Sequence, residues 1–552
     1  MAFIKKILNA LTKKERIILI TSVSFIVVSV ISIAIISFIK TSAVVPTTGG
    51  NYKEGMIGQP EYINPVTANS EIDRSLVKMI YSNIYDIADS ITVSSDTKTW
   101  DIRLKNGINW QDGQKLTSDD VIFTIQEIQN KDSNSPLYNN WAGVSVNRVS
   151  ELELTLSIAT PYVFFGDNLK NLYILPKHIF AGIPPANWRL SDYNLKPVGS
   201  GPYLFNSYKQ LQNGFITEYN LKSWNNYFGQ KPLINNFHFE FFNDKNSIIG
   251  SFNDAQIDGF GGISPSEISE IVRPYNLFQY RTTGYYAIFL NQTKNQALND
   301  PTVREALSLA IDRDDIVKSV MNGFAKIENG PIPEDAAYYS TVQIPTSTAS
   351  SSLDFAKSLL DQDSWVIQSD GSRAKTIKKS SVPLSINITV PNVDFLVQTA
   401  DMIKTDWQNL GVNVTISLDS PEDIASVVIP GRTYDGLLFG NVLGNSSDLY
   451  SFWDSSQSVN PGLNLAMYSN PKVDALLEKI RQTQDSNLIT QYFAKAQNMI
   501  ANDNPAIFIY SPDYLYIANK NIQGISTPIL SDTTDRFRDV PNWYLNTAII
   551  LK

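Results

Sequence analysis

Ser75 and Lys78, in SLVK, stand at the spacing by which a lysine can deprotonate a serine nucleophile. That chemistry needs partner motifs, and none accompanies the pair, so the stretch reads as an ordinary helix. PVGSGPY, residues 197–203, is glycine-rich. It lacks the spacing of a dinucleotide or Walker loop, and Pro202 suits a strand-linking turn. GxSxG, HExxH and calcium-loop patterns do not occur. The absence of cysteine excludes disulfides, thiolate metal sites, cysteine nucleophiles and a lipid-bearing cysteine. His178 and His238, the two histidines, lie too far apart in sequence to suggest a zinc site. No pair of carboxylates stands out as an acid/base couple. Neither catalysis nor a cofactor is expected.

The acidic run AIDRDD, residues 310–315, has a structural explanation. Val303, Ala306, Leu307, Ala310 and Ile311 recur as the apolar stripe of a helix, opened by Asp300 and Pro301. Asp312 is expected to stop it and cap a second helix, with Ile316, Val317, Val320 and Met321 as its stripe and Gly323 at its close. Two caps account for the acids, and Arg304 or Arg313 is expected to pair with them.

The elements around these residues are mixed. TWDIRLKNGINW alternates like a strand entering a turn, and ELELTLSIA and FHFEFF read as further strands. KLTSDDVIFTIQEIQ is a helix opened by Thr117 or Ser118, with Asp119 and Asp120 in its positive first turn. Further on, FLVQTADMIKTDWQNL carries Leu396, Ala400, Ile403, Trp407 and Leu410 at helical spacing and leads through Gly411 into the strand VNVTISL. Helices from Pro471 and through Tyr492–Ile500 precede the strand AIFIY. The class is α/β, in at least two packed units at 552 residues.

Ile17 to Ile39 carries no charge and spans roughly 34 Å as a helix, enough to cross a bilayer. Lys5, Lys6, Lys13, Lys14 and Arg16 precede it, which places the N-terminus in the cytoplasm and the remainder outside. A cleavable signal peptide ending near Ala43 competes, but its apolar region would be too long. An uncleaved anchor is expected. TSAVVPTTGGN, residues 41–51, has the composition of a linker. The net charge of −9 argues against a nucleic-acid partner.

An ordered set of segments resembles one family, the extracellular solute-binding proteins of family 5, receptors for oligopeptides, dipeptides or nickel in bacterial ABC importers. The set runs from GQPEYINPVTANSEIDRSLVKMIYSNIYD through WDIRLKNGINWQDGQKLTSDDVIFTI, PVGSGPYLF and NDPTVREALSLAIDRDDIVKSVMNGFA to YDGLLFG and YSNPKVDALLEKIRQT. The resemblance implies a two-lobed periplasmic-binding-protein-like clamshell, type II, cluster C. Its expected parts are a cytoplasmic N-terminus 1–16, the transmembrane anchor 17–39, a linker 40–51, lobe I over 52–283 plus 512–552, and lobe II over 284–511. It implies a membrane-anchored receptor that closes on a peptide and passes it to permease and ATPase subunits. An extracytoplasmic hydrolase, or a sensor or chaperone of the same fold, is the alternative.

Peptide binders of that family pin the amino terminus with an aspartate of the second lobe. In LLFGNVLGNSSDLYSFW, residues 437–453, Asn445 stands at that position, with Asp448 three residues on as a substitute or a helix cap. Tyr62, Asn64, Ser200, Tyr286, Asn441 and Trp453 complete the candidate ligand contacts. Core packing or turn formation accounts equally well for each of them.

Overall fold

The structure, a computed structural model, describes residues 12–342 and 349–551; Lys5 and Lys6 lie outside them. Lys13–Thr41 is one helix, and its Lys13–Ile33 part is long and apolar enough to cross a membrane, with none of it buried against the rest of the protein. The stretch read as a linker contains a strand, Ser42–Thr47, paired antiparallel with Asn546–Leu551. The end of the chain thus holds the segment that leaves the apolar helix.

Two mixed sheets organise an α/β fold of two lobes. The first has seven strands, in the order Tyr275–Tyr280, Tyr514–Asn519, Gly259–Gly261, Asn51–Ile57, Asn236–Phe242, Ile216–Ser223, Tyr203–Gln210. Asn51–Ile57 runs parallel to both of its neighbours. Gly55 in this strand is required by close approach, because a Cβ there would lie 2.6 Å from Ile257 Cδ1. A four-stranded antiparallel sheet, Ala88–Val93, Thr99–Leu104, Glu153–Ser157 and Ser145–Ser150, extends the same lobe. The helix Ser118–Gln129 packs on it, and the Asp120 carboxylate accepts from the Thr117 amide at 2.9 Å.

The second sheet runs Ala325–Ile327, Ala506–Pro512, Gly284–Leu290, Gly436–Val442, Ser385–Pro391, Asn413–Asp419. Its central strands Gly284–Leu290 and Ala506–Pro512 are buried on both faces and are largely apolar, whereas the edge strand Asn413–Asp419 alternates between buried and exposed residues. Ile288 and Leu290 enter one core with Trp407 and Ile403, while Tyr285, Ala287 and Phe289 enter the other with Trp453 and Phe493. A bulge shifts the register between Tyr286 and Ala287 against Tyr510 and Phe508. The chain passes between the sheets twice, side by side: Thr282 Oγ1 donates to the Pro512 carbonyl at 3.1 Å, and Arg281 pairs with Asp513 at 2.5 Å.

Asp300 caps Pro301–Ala310 and Asp312 caps Arg313–Ser319, its Oδ1 accepting from the Asp315 amide at 3.0 Å. The arginines behave differently from expectation. Arg304 donates to the carbonyls of Leu298 and Asp503, and Arg313 to those of Ser308 and Phe508. Both are largely buried, and five fixed donors satisfy carbonyls at helix and strand ends that acids cannot reach. Asp312→Ala is expected to cost about 1 kcal/mol, read as a lowered urea midpoint, since it removes a cap without exposing any core.

Candidate functional site

A cleft of about 1030 Å³ opens between the lobes. One wall comes from the segment Ile158–Phe165 and the helix Glu71–Ile80, the other from the loop 442–452 and the end of the helix Pro471–Gln482. Apolar side chains such as Val77, Leu137, Ile158 and Leu443 share the lining with polar ones such as Asn140, Asn168 and Asn445.

Asp448 joins the walls. Its Oδ2 accepts from the Tyr162 hydroxyl at 3.1 Å and pairs with Arg481 Nε at 3.1 Å, and its Oδ1 accepts from the Tyr450 amide at 3.1 Å. The last contact satisfies the first amide of the short helix Tyr450–Trp453, whose N-cap residue is Leu449. The Arg481 guanidinium lies 4.7 Å over the Tyr162 ring and 4.3 Å over the Tyr450 ring, so a planar cation is held between two aromatic faces. Burial, with the Asp448 carboxylate adding to it, pushes the Tyr162 phenol up, so it stays a donor. Deeper, Ser531 Oγ lies 3.1 Å from the Asn445 side-chain amide and 2.8 Å from Asp535. Asp535 in turn pairs with Lys78 at 2.6 Å and Arg538 at 3.0 Å. Burial lowers the Lys78 ammonium in spite of that partner.

Of the eight sequence candidates, Asn445 and Asp448 line the cleft and the other six do not. Trp453 is fully buried, 5.8 Å from the Phe508 ring. Asn64 is fully buried, and its Oδ1 accepts from the Val66 amide at 2.9 Å, which makes it a turn former. Ser200 is buried in a turn that presses on the helix end at Ile80: a Cβ on Gly201 would lie 2.7 Å from the Ile80 carbonyl carbon. That contact explains the glycines of PVGSGPY. Asn441 donates to the Tyr285 hydroxyl at 3.1 Å inside lobe II. The bulge turns Tyr286 toward Phe395 and Tyr510, at 5.3 and 5.8 Å. Tyr62 lies under the Arg189 guanidinium at 5.4 Å.

Ser75 and Lys78 are also accounted for. Ser75 Oγ donates to the Glu71 carbonyl at 2.7 Å, and Lys78 is held by Asp535. Tyr162, Arg481 and Ser531 were not singled out from the sequence. The signal that could have found the first is PYVFFGD, residues 161–167, an aromatic run between a proline and a glycine that serves neither a helix stripe nor strand alternation.

A family model described as bacterial extracellular solute-binding proteins, family 5 Middle, matches residues 84–462. The oligopeptide-binding protein AppA of Bacillus subtilis (strain 168) is 26% identical over 504 residues, which cover 88% of this chain and 90% of its own. A solved structure of the ABC transporter substrate binding protein CtaP from Listeria monocytogenes matches with a TM-score of 0.77 and 25% identity, covering 90% of this chain and 100% of that one. The Bacillus subtilis AppA structure in complex with a nonapeptide shares the fold, with a TM-score of 0.70 and 23% identity over 91% of this chain and 100% of that one.

Proposed function

The chain belongs to the bacterial extracellular solute-binding proteins of family 5, and from that premise we propose that it captures peptides between its lobes outside the cytoplasm and presents them to the permease and ATPase subunits of an ABC importer. The observation that carries this reading is the cleft. At about 1030 Å³ it reaches the upper end of small-molecule pockets, roughly 300–1000 Å³, and accommodates a short chain. A guest that touches both walls gains more from the closed arrangement than from the open one, so binding shifts the population toward closure with no covalent step. The protein acts as a receptor and not as an enzyme. The relatives, an oligopeptide-binding protein and an ABC transporter substrate binding protein, support the ligand class and the transport role.

The apolar helix acts as an uncleaved anchor in the cell membrane, with lobe I formed by 52–283 and 512–552 and lobe II by 284–511. Asn445 and Asp448 meet the guest, and Tyr62, Asn64, Ser200, Tyr286, Asn441 and Trp453 serve the scaffold.

Peptide pools added to the detergent-solubilised full chain are expected to raise its melting temperature. Ligand at about 100 times its Kd stabilises by roughly 2.7 kcal/mol. Peptides that leave the melting curve in place at millimolar concentration would refute the reading.

A further inference from the structure

All but one of the charges of the cleft are already paired. Among the described residues, its cations are Arg74, Lys78 and Arg481 and its anions Asp167, Asp448, Glu478 and Asp532. Arg74 pairs with Asp532 at 3.2 Å, Lys78 with Asp535 at 2.6 Å, Arg481 with Asp448 at 3.1 Å, and Asp167 with Lys170 at 2.7 Å. Glu478 is exposed at the rim, where water screens it. Where the lobe II loop meets the guest stands Asn445, a neutral amide. A serine hydroxyl has one proton to give, and the twice-paired carboxylate of Asp535 takes that of Ser531 in preference to Asn445. Ser531 Oγ faces Asn445 Oδ1 at 3.1 Å, the second acceptor within reach of that one proton, so both Asn445 N–H groups and a carbonyl lone pair are left for the guest. Whichever way that amide is turned, it offers a donor and an acceptor and no charge.

An ammonium leaving water for this cleft would find its one unpaired counter-charge at the exposed rim, in Glu478, and deeper in would have to compete with Arg481 for Asp448. Arg481 is fixed between two rings and is the stronger competitor. A guest carboxylate meets the same obstacle at Arg74 and Lys78. An amide or acyl group makes its hydrogen bonds to Asn445 without that desolvation cost. We infer that the cleft selects peptides whose ends are uncharged, either capped by an acyl group at the amino end and an amide at the carboxyl end, or cyclic. The inference rests on the peptide-receptor reading and names the chemical class of its guest.

The test uses three randomised hexapeptide pools of one composition, lacking Asp, Glu, Lys and Arg. One pool is free at both ends, one N-acetylated, and one N-acetylated and C-amidated. Each is incubated with the detergent-solubilised full chain, and retained peptide is measured by mass spectrometry. The doubly capped pool is expected to be retained at least tenfold better than the free one. Asn445→Asp, which adds a carboxylate where the amide stood, is expected to favour the free amino end and narrow or reverse that ratio. Equal or better retention of the free pool by the unsubstituted protein would overturn the inference and leave the receptor reading standing. Retention of none of the three would overturn both.

Discussion

Phe164→Ala is expected to open the protein without unfolding it. Phe164 and Phe165 are neighbours in the chain, yet their rings enter different cores. Phe165 lies 5.5 Å from both Trp100 and Trp141, inside lobe I. Phe164, 6% exposed, belongs to the second core of lobe II, 6.0 Å from Tyr338 and 6.1 Å from Phe493, which themselves stack at 4.6 Å. The Val163 amide fixes the approach by donating to the Arg481 carbonyl at 2.8 Å. When the lobes part, the Phe164 ring goes to water, so its burial contributes to the closed state alone. Truncating a buried phenylalanine costs about 3–5 kcal/mol. Here that cost falls on closure, which at 1.4 kcal/mol per tenfold corresponds to a loss of affinity of about 100-fold or more. Small-angle scattering should show a larger radius of gyration for the unliganded variant, while the unfolding midpoint of lobe I stays near that of the parent. Phe165→Ala is the contrast, with lower stability and little change in opening. An unaltered scattering curve together with unaltered affinity for the Phe164 variant would dismiss the latch.

Raising the pH from 4.5 to 8 is expected to weaken lobe II, and Glu328→Gln to remove most of that loss. Glu328 is 2% exposed, and its Oε1 has no hydrogen-bond partner among the described residues. Burial pushes its carboxyl up from 4.5 to about 8, with the Glu334 amide offsetting part of the rise. Lys326 gives little relief, being engaged by Glu334 at 2.8 Å and Asp335 at 2.9 Å. Between the two values the folded protein keeps a proton that the unfolded chain has released, so stability falls as pH rises through this window. At about 1.36 kcal/mol per pH unit the loss is on the order of 4 kcal/mol. Glutamine keeps the shape and removes the titration. Urea midpoints should coincide for parent and variant near pH 4.5 and separate in favour of the variant at pH 8. Buried Glu54, pushed up to about 7 by burial against the pull of Arg536, adds a slope of the same sign in lobe I. Its effect persists in the variant. Parallel pH profiles for the two proteins would show that Glu328 does not titrate in this range.

Much of the local structure was legible from the chain, because helix ends and strand faces are decided by neighbours. Asp300, Thr117 and Pro471 announced their helices, and the apolar stripe of Leu396, Ala400, Ile403 and Trp407 lies in the core as its spacing implies. The candidate site was legible only in part. Asn445 and Asp448 could be placed because they fall within one short loop whose pattern the sequence carries. Tyr162, Arg481 and Ser531 meet that loop from positions some 33 to 286 residues away, and no local rule relates them to it. Trp453 and Asn64 show the converse, since a side chain fit for binding reads the same from the sequence when it is fully buried.

By itself the sequence determined the α/β class, the apolar helix near the N-terminus, the helix caps and the family. These follow from short-range periodicity, from uninterrupted hydropathy and from the order of segments. Tertiary structure alone decided which core received Phe164, that Arg304 and Arg313 serve carbonyls instead of aspartates, and that every buried charge of the cleft already has a partner. Such outcomes depend on which distant groups meet in a space that water has left, where the energy of a charge or a ring is set by its surroundings and not by its neighbours in the chain.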